Sequence, residues 1–200
     1  MGIFEAIKAD DIDTVKKLIE DDPNLLNKKA NKSGYSPLMC AIKNNKYEII
    51  KHLLTKQQID LSQISNRGLT ALLMAIIKNE GNNTIVDALL GHNNIDVNQT
   101  SSRGDPPLLY AARRNMLDII NLLLEKGANI DAIKTSEGRT ALHEATYQGN
   151  VGLVEKIFKY DPDVDVKDIW ENTFTLGSRK GSYRNSKSTN KSRGRYKSSR

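Results

Sequence analysis

The sequence predicts an all-helical solenoid of stacked helix-turn-helix units with short β-hairpin loops, and three observations carry that prediction. The glycines Gly34, Gly68, Gly104 and Gly138 are 34, 36 and 34 residues apart, and Leu38, Leu72, Leu108 and Leu142 keep the same intervals, as do Ala41, Ala75, Ala111 and Ala145. Three residue types sharing one period mark a repeated structural unit rather than a bias of composition. Each cluster is followed by apolar residues spaced i, i+1, i+4, i+5: Ile49, Ile50, Leu53, Leu54, then Ile85, Val86, Leu89, Leu90, then Ile119, Ile120, Leu123, Leu124, then Leu153, Val154, Ile157, Phe158. That spacing lays one apolar stripe along a helix. A unit this small cannot shelter its stripe alone, so neighbouring copies must stack.

Taken in order, residues 1–30 read as a polar-faced helix pair with Asp10 at its turn, an amino-terminal cap with a wet outer face. Units follow over 31–64, 65–100, 101–133 and 134–166. Ser36, Thr70 and Thr140 stand where a hydroxyl can accept from the free amides of a helix start, and Pro37 and Pro107 sit at first helical positions, where a missing N–H costs nothing. Pro106 replaces the capping hydroxyl in the fourth unit. Asn45, Asn115 and Gly149 occupy the turns between paired helices, where a left-handed backbone suits Asn or Gly. The turn Asn79-Glu80-Gly81-Asn82-Asn83 carries two extra residues, which accounts for the spacing of 36.

The stretch Gly138-Arg139-Thr140-Ala141-Leu142-His143, with Leu122-Leu123-Leu124-Glu125-Lys126-Gly127-Ala128-Asn129 before it, resembles the ankyrin repeat, whose pattern runs Gly-x-Thr-Pro-Leu-His-x-Ala to a Leu-rich second helix and Gly-Ala-x-x-Asn. The resemblance covers residues 1–170. Only His143 keeps the family histidine, which Met39, Leu73 and Leu109 replace elsewhere. Lys, Asn and Ile together make 58 of the 200 residues, and their A/T-rich codons make the chain similar to ankyrin proteins of intracellular bacteria. Export into a host cell is not visible in the sequence.

The net charge of +6 is confined to one end. Residues 177–200 hold nine Lys and Arg and no acid, leaving 21 basic against 24 acidic residues in positions 1–176. From 167 the chain reads as a broken sixth unit and a basic tail without an apolar period, a composition that cannot offset its ordering entropy. Two readings compete with plain disorder. The tail, with Tyr183 and Tyr196 available for stacking, would bind nucleic acid or an acidic surface. Alternatively, shifting the reading frame by one base from Trp170, with synonymous codons free, permits Gly-Lys-Thr-Pro-Leu-His-Trp-Ala-Ala, a further unit opening about 33 residues after Gly138. The tail is expected to be that out-of-frame product, so nucleic acid is not an expected partner, and a degraded gene product without selected function is the third reading. Without a sixth unit, Ile157, Phe158, Trp170 and Phe174 are expected to be partly exposed, with self-association at that end of an otherwise monomeric protein.

No catalytic constellation is found. His52, His92 and His143 lie at different phases, with His143 expected to hydrogen-bond within its own turn, and no Walker loop, nucleophile elbow or paired metal motif occurs. No cofactor or metal is expected. Cys40 is the single cysteine, and no run of about 18 apolar residues or basic-then-apolar leader appears, so a free thiol and a cytoplasmic location are expected. The remaining candidate is a surface: the resemblance implies hairpin tips and first helices lining a concave face that binds a protein partner. By phase the tip rungs are Tyr35, Leu69, Asp105 and Arg139. The helix rungs are Cys40, Met74, Tyr110 and Glu144, followed by Lys43, Lys78, Arg113 with Arg114, and Tyr147. Cys40, Met74 and Tyr110 would form an apolar strip beside a basic one, suited to acidic or mixed apolar-acidic epitopes.

Overall fold

The computed structural model describes residues 1–169 apart from 80, 82 and 135, and the backbone of 172–176 and 183–187. The fold is an all-helical repeat solenoid. Its helices, in chain order, are α1 (Ile3–Ala9), α2 (Ile12–Asp21), α3 (Pro37–Lys43), α4 (Tyr47–Leu54), α5 (Ala71–Lys78), α6 (Thr84–Leu90), α7 (Pro107–Arg113), α8 (Leu117–Glu125), α9 (Ala141–Tyr147) and α10 (Val151–Phe158), with a short 3-10 helix at Pro23–Asn27. The odd-numbered helices pack in sequence as an inner row, and the even-numbered α2, α4, α6 and α8 as an outer one.

Local chemistry sets several of the boundaries. Ser36 and Thr70 accept from the backbone N–H of Met39 and Leu73 at 3.2 and 3.1 Å. Thr140 and His143 form a reciprocal capping box, so His143 serves its own helix start. At α7 the N-cap is Pro106, which offers no side-chain bond. Asn45, Asn115 and Gly149 turn each pair with φ of 54°, 54° and 65°, and Asp10 does so at 63° in the first pair.

Stacking is held by two ladders and a core. Hairpin loops close on themselves through Ala30 N–H to Tyr35 O, Ser65 N–H to Leu69 O, Ser101 N–H to Asp105 O and Lys134 N–H to Arg139 O. They join one another through Asn66 N–H to Ser33 O, Ser102 N–H to Gly68 O and Ile169 N–H to Glu137 O, all at 2.8–3.0 Å. On the turn side, Lys78 Nζ donates to Lys43 O at 2.5 Å, and Gln148 Nε2 to the carbonyls of Ala112 and Arg113 at 3.2 and 3.1 Å. Between the rows, Ile49, Ile50, Leu53, Leu89, Ile120, Leu123 and Leu153 are fully buried. Each such side chain contributes roughly 1.5–3 kcal/mol by leaving water, which is where the stability of the stack resides.

Two expectations are corrected at the far end. Ile157, expected to be partly exposed, is fully buried, because Leu153, Val154 and Ile157 turn inward on α10 against α9, whereas Phe158 is half-buried and keeps the partial exposure expected of it. Trp170 and the side chain of Phe174 lie outside the described residues. Residues Asn172–Leu176 (β1) and Tyr183–Lys187 (β2) pair as an antiparallel ribbon, where the sequence reading expects no regular structure. The ribbon packs against α9.

Candidate functional site

The inner helices and hairpin tips place the predicted rungs on one face, but not at one depth. Lys43, Lys78, Arg114 and Tyr147 are exposed, and Leu69, Asp105, Tyr110, Arg113 and Arg139 are half-buried. Tyr35, Cys40, Met74 and Glu144 are buried. The apolar strip is therefore corrected: Cys40 at 4% and Met74 at 5% exposure fill the space between neighbouring inner helices, and Tyr110 alone of the three reaches solvent. Burial pushes the Cys40 thiol above its ordinary range, against the pull of Lys8 and Lys43.

In the basic strip Lys43, Lys78 and Arg114 stay exposed, and only Arg113 is corrected, being taken up in ion pairs. Arg113 Nε donates to Glu144 Oε1 at 3.1 Å, its Nη1 lies 3.5 Å from Asp105 Oδ1, and its Nη2 donates to Glu137. Lys134 Nζ donates to Glu137 Oε1 at 2.8 Å and lies 3.4 Å from Asp105 Oδ1. Arg139 reaches Glu144 Oε1 at 3.5 Å and Asp168 Oδ2 at 3.8 Å, and the Asp168 side chain is fully buried. Three cations thus face four carboxylates, so carboxylates are in excess by one and each cation has a partner within the network.

The titration behaviour follows from those contacts. Partial burial works against the charge of Arg113, but the hydrogen bond and charge of Glu144, then those of Glu137, hold it above its usual range. The hydrogen bond with Glu137 raises Lys134. The same bond lowers Glu137, overcoming the opposing effect of burial, with Arg113 adding to the lowering. Lys134, Glu137 and Asp168 are missed by reading rungs one phase at a time. The available signal is opposite charge about one unit apart, as at Asp105 with Lys134 and Arg113 with Glu144.

Two aromatic contacts complete the face. Arg139 Cζ lies 5.3 Å from the centre of the Tyr147 ring, and Tyr147 is 72% exposed. Lys43 Nζ lies 5.2 Å from the centre of the Tyr35 ring. Among the described residues, no group of three or more His, Cys, Asp or Glu could hold a metal ion, and no helix is long and apolar enough to cross a membrane.

A tandem helix-turn-helix stack with a ladder of tips and inner helices is a repeat-built binding surface. A family model described as ankyrin repeats, in three copies, matches residues 3–101 and 73–168, so the chain belongs to the ankyrin-repeat family. It is 31% identical over 146 residues to the B-cell lymphoma 3 protein homolog of Mus musculus, covering 72% of this chain and 32% of that protein. It is also 29% identical over 159 residues to the nuclear factor NF-kappa-B p105 subunit of Gallus gallus, covering 76% of this chain and 16% of that protein. The chain thus spans a third or less of the length of these two relatives. Among solved structures it is similar to EF0377, an ankyrin repeat protein, with a TM-score of 0.74, 28% identity, and coverage of 86% of this chain and 87% of that one.

Proposed function

We propose that this chain is a non-enzymatic module that binds a protein partner along its concave face, as a monomer in a cytosolic setting. The observation that carries this reading is the unevenness of the inner-helix row. Arg114 and Tyr147 stand open to solvent and Tyr110 is half-buried, while Cys40, Met74 and Glu144 are buried and Arg113 and Arg139 are joined in the ion network. Exposed Tyr and Arg side chains on a rigid scaffold are the types that dominate binding energy in protein interfaces. Membership of a family whose general use is protein interaction supports the reading.

The test is affinity capture from a cell extract with two forms of the full chain, wild type and Tyr110→Ala/Arg114→Glu/Tyr147→Ala. Arg113 is excluded because its removal would take one cation from each of three carboxylates and so perturb the network. With thermal midpoints matched, the partner retained by wild type should bind the triple variant roughly 100-fold or more weakly. Equal capture by both forms would contradict the reading.

A further inference from the structure

Among the described residues the exposed concave-face cations Lys8, Lys43, Lys78 and Arg114 are in no ion pair, and two of them lie together at the opposite end from the ion network. Lys8 on α1 and Lys43 on α3 are both exposed and border one cleft of about 150 Å³, with Phe4 and Tyr35 among its walls and Cys40 and Asn44 also lining it. Asn44 Nδ2 is already committed to Cys40 O at 2.8 Å, and Cys40 is buried. Among the described residues neither Lys8 nor Lys43 is in an ion pair, whereas Lys46 pairs with Asp10 at 3.3 Å. Both ammonium groups act on the same thiol in the same direction, and Glu5 opposes them more weakly, so their fields converge on the cleft. A drug-sized ligand needs about 300 Å³ or more, and the cleft holds about half of that. Its capacity is one side chain.

We propose that this cleft receives an acidic side chain, Asp or Glu, from an extended segment of the protein partner. Lys8 and Lys43 hold the carboxylate, and Phe4 and Tyr35 flank its methylene stem. The inference rests on the concave-face reading and adds an orientation to it. A partner carboxylate near Arg113, Lys134 and Arg139 would meet Asp105, Glu137, Glu144 and Asp168, which already satisfy those cations. At Lys8 and Lys43 it meets unneutralised charge. The acidic part of the segment therefore lies against α1 and α3, and its apolar part toward Tyr110 and Tyr147.

The experiment titrates the full-length, isotope-labelled protein with an acetylated, amidated Ala-Leu-Glu-Glu-Leu-Ala probe, its Gln-for-Glu counterpart and a phosphoserine counterpart, followed by amide shifts. The expected result is saturable perturbation at Phe4, Lys8, Tyr35 and Lys43 by the Glu probe. Lys8→Gln/Lys43→Gln should weaken it by roughly 10-fold or more, as loss of a charged hydrogen bond predicts, at unchanged thermal midpoint, and Lys8→Arg/Lys43→Arg should retain it. An equal response to the Gln probe, or Glu binding that survives the Gln variants, overturns the proposal. Tenfold tighter phosphoserine binding overturns the carboxylate assignment. Perturbation centred on Arg114 and Tyr147 overturns this site but leaves the concave-face reading standing. Perturbation centred on the outer helices overturns both.

Discussion

Arg113 joins three carboxylates from three places in the chain, the hairpin tips at Asp105 and Glu137 and the helix residue Glu144, whose side chain is 7% exposed. Arg113→Ala leaves Glu144 with Arg139 alone at 3.5 Å, and at this partial burial the expected cost is roughly 1–3 kcal/mol, read from urea midpoints. An unchanged midpoint would show that the network is ornamental. Glu137 adds a pH dependence with a definite sign. Its folded pKa is depressed, so its contribution is present above the ordinary carboxylate range near pH 4.3 and is lost as pH falls through the lower folded value. The stability difference between wild type and Glu137→Gln should therefore shrink on acidification below about pH 4, and a constant difference down to pH 2 would contradict the assignment. Gly68 shows why the repeat glycine is fixed. At φ of 73° an added Cβ would sit 1.6 Å from Ser102 Oγ, so Gly68→Ala should cost more than the roughly 1 kcal/mol of an ordinary loop change and should loosen the junction to the next hairpin.

At the scale of elements, the junction between the third and fourth units differs from its neighbours. Lys78 bridges to the Lys43 carbonyl, and Gln148 to those of Ala112 and Arg113. Among the described residues no such bridge joins the end of α7 to that of α5. The extended turn after α5 is the physical reason. Asn79, Gly81 and Asn83 stand off from Arg114, Met116 and Leu117 and leave a cleft of about 450 Å³. Amide hydrogen exchange should accordingly show the facing ends of α5 and α7 opening at lower free energy than those of α7 and α9, and equal protection would remove the distinction. Much of this was legible before any coordinates. Caps, turns and the stripe on each outer helix are local consequences of residue type at a fixed period, so Ser36, Thr70, Asn45, Asn115 and Leu123 do what their positions predict. The depth of Cys40 and Met74 was not legible. Phase fixes the direction of a side chain from its helix, but the approach of the neighbouring helix decides whether that side is covered.

For the whole molecule, each unit is stabilised by the adjoining ones, and the proposed binding surface is one that no unit possesses alone. The character of that surface varies along the stack: unpaired cations at Lys8, Lys43, Lys78 and Arg114, paired charges around Arg113, and an exposed ring at Tyr147. Reading unit by unit does not reveal the pairing between rungs, because Glu137 and Glu144 lie 24 and 31 residues from Arg113, in the next unit, and reach it only when copies stack. The most direct measurement is hydrogen exchange of the full chain, free and in complex with its captured partner. The account predicts added protection in the hairpin tips and inner helices, over residues 35–43, 69–78, 105–114 and 139–147. Protection confined to the outer helices α4, α6 and α8, with the inner row unchanged, would contradict it.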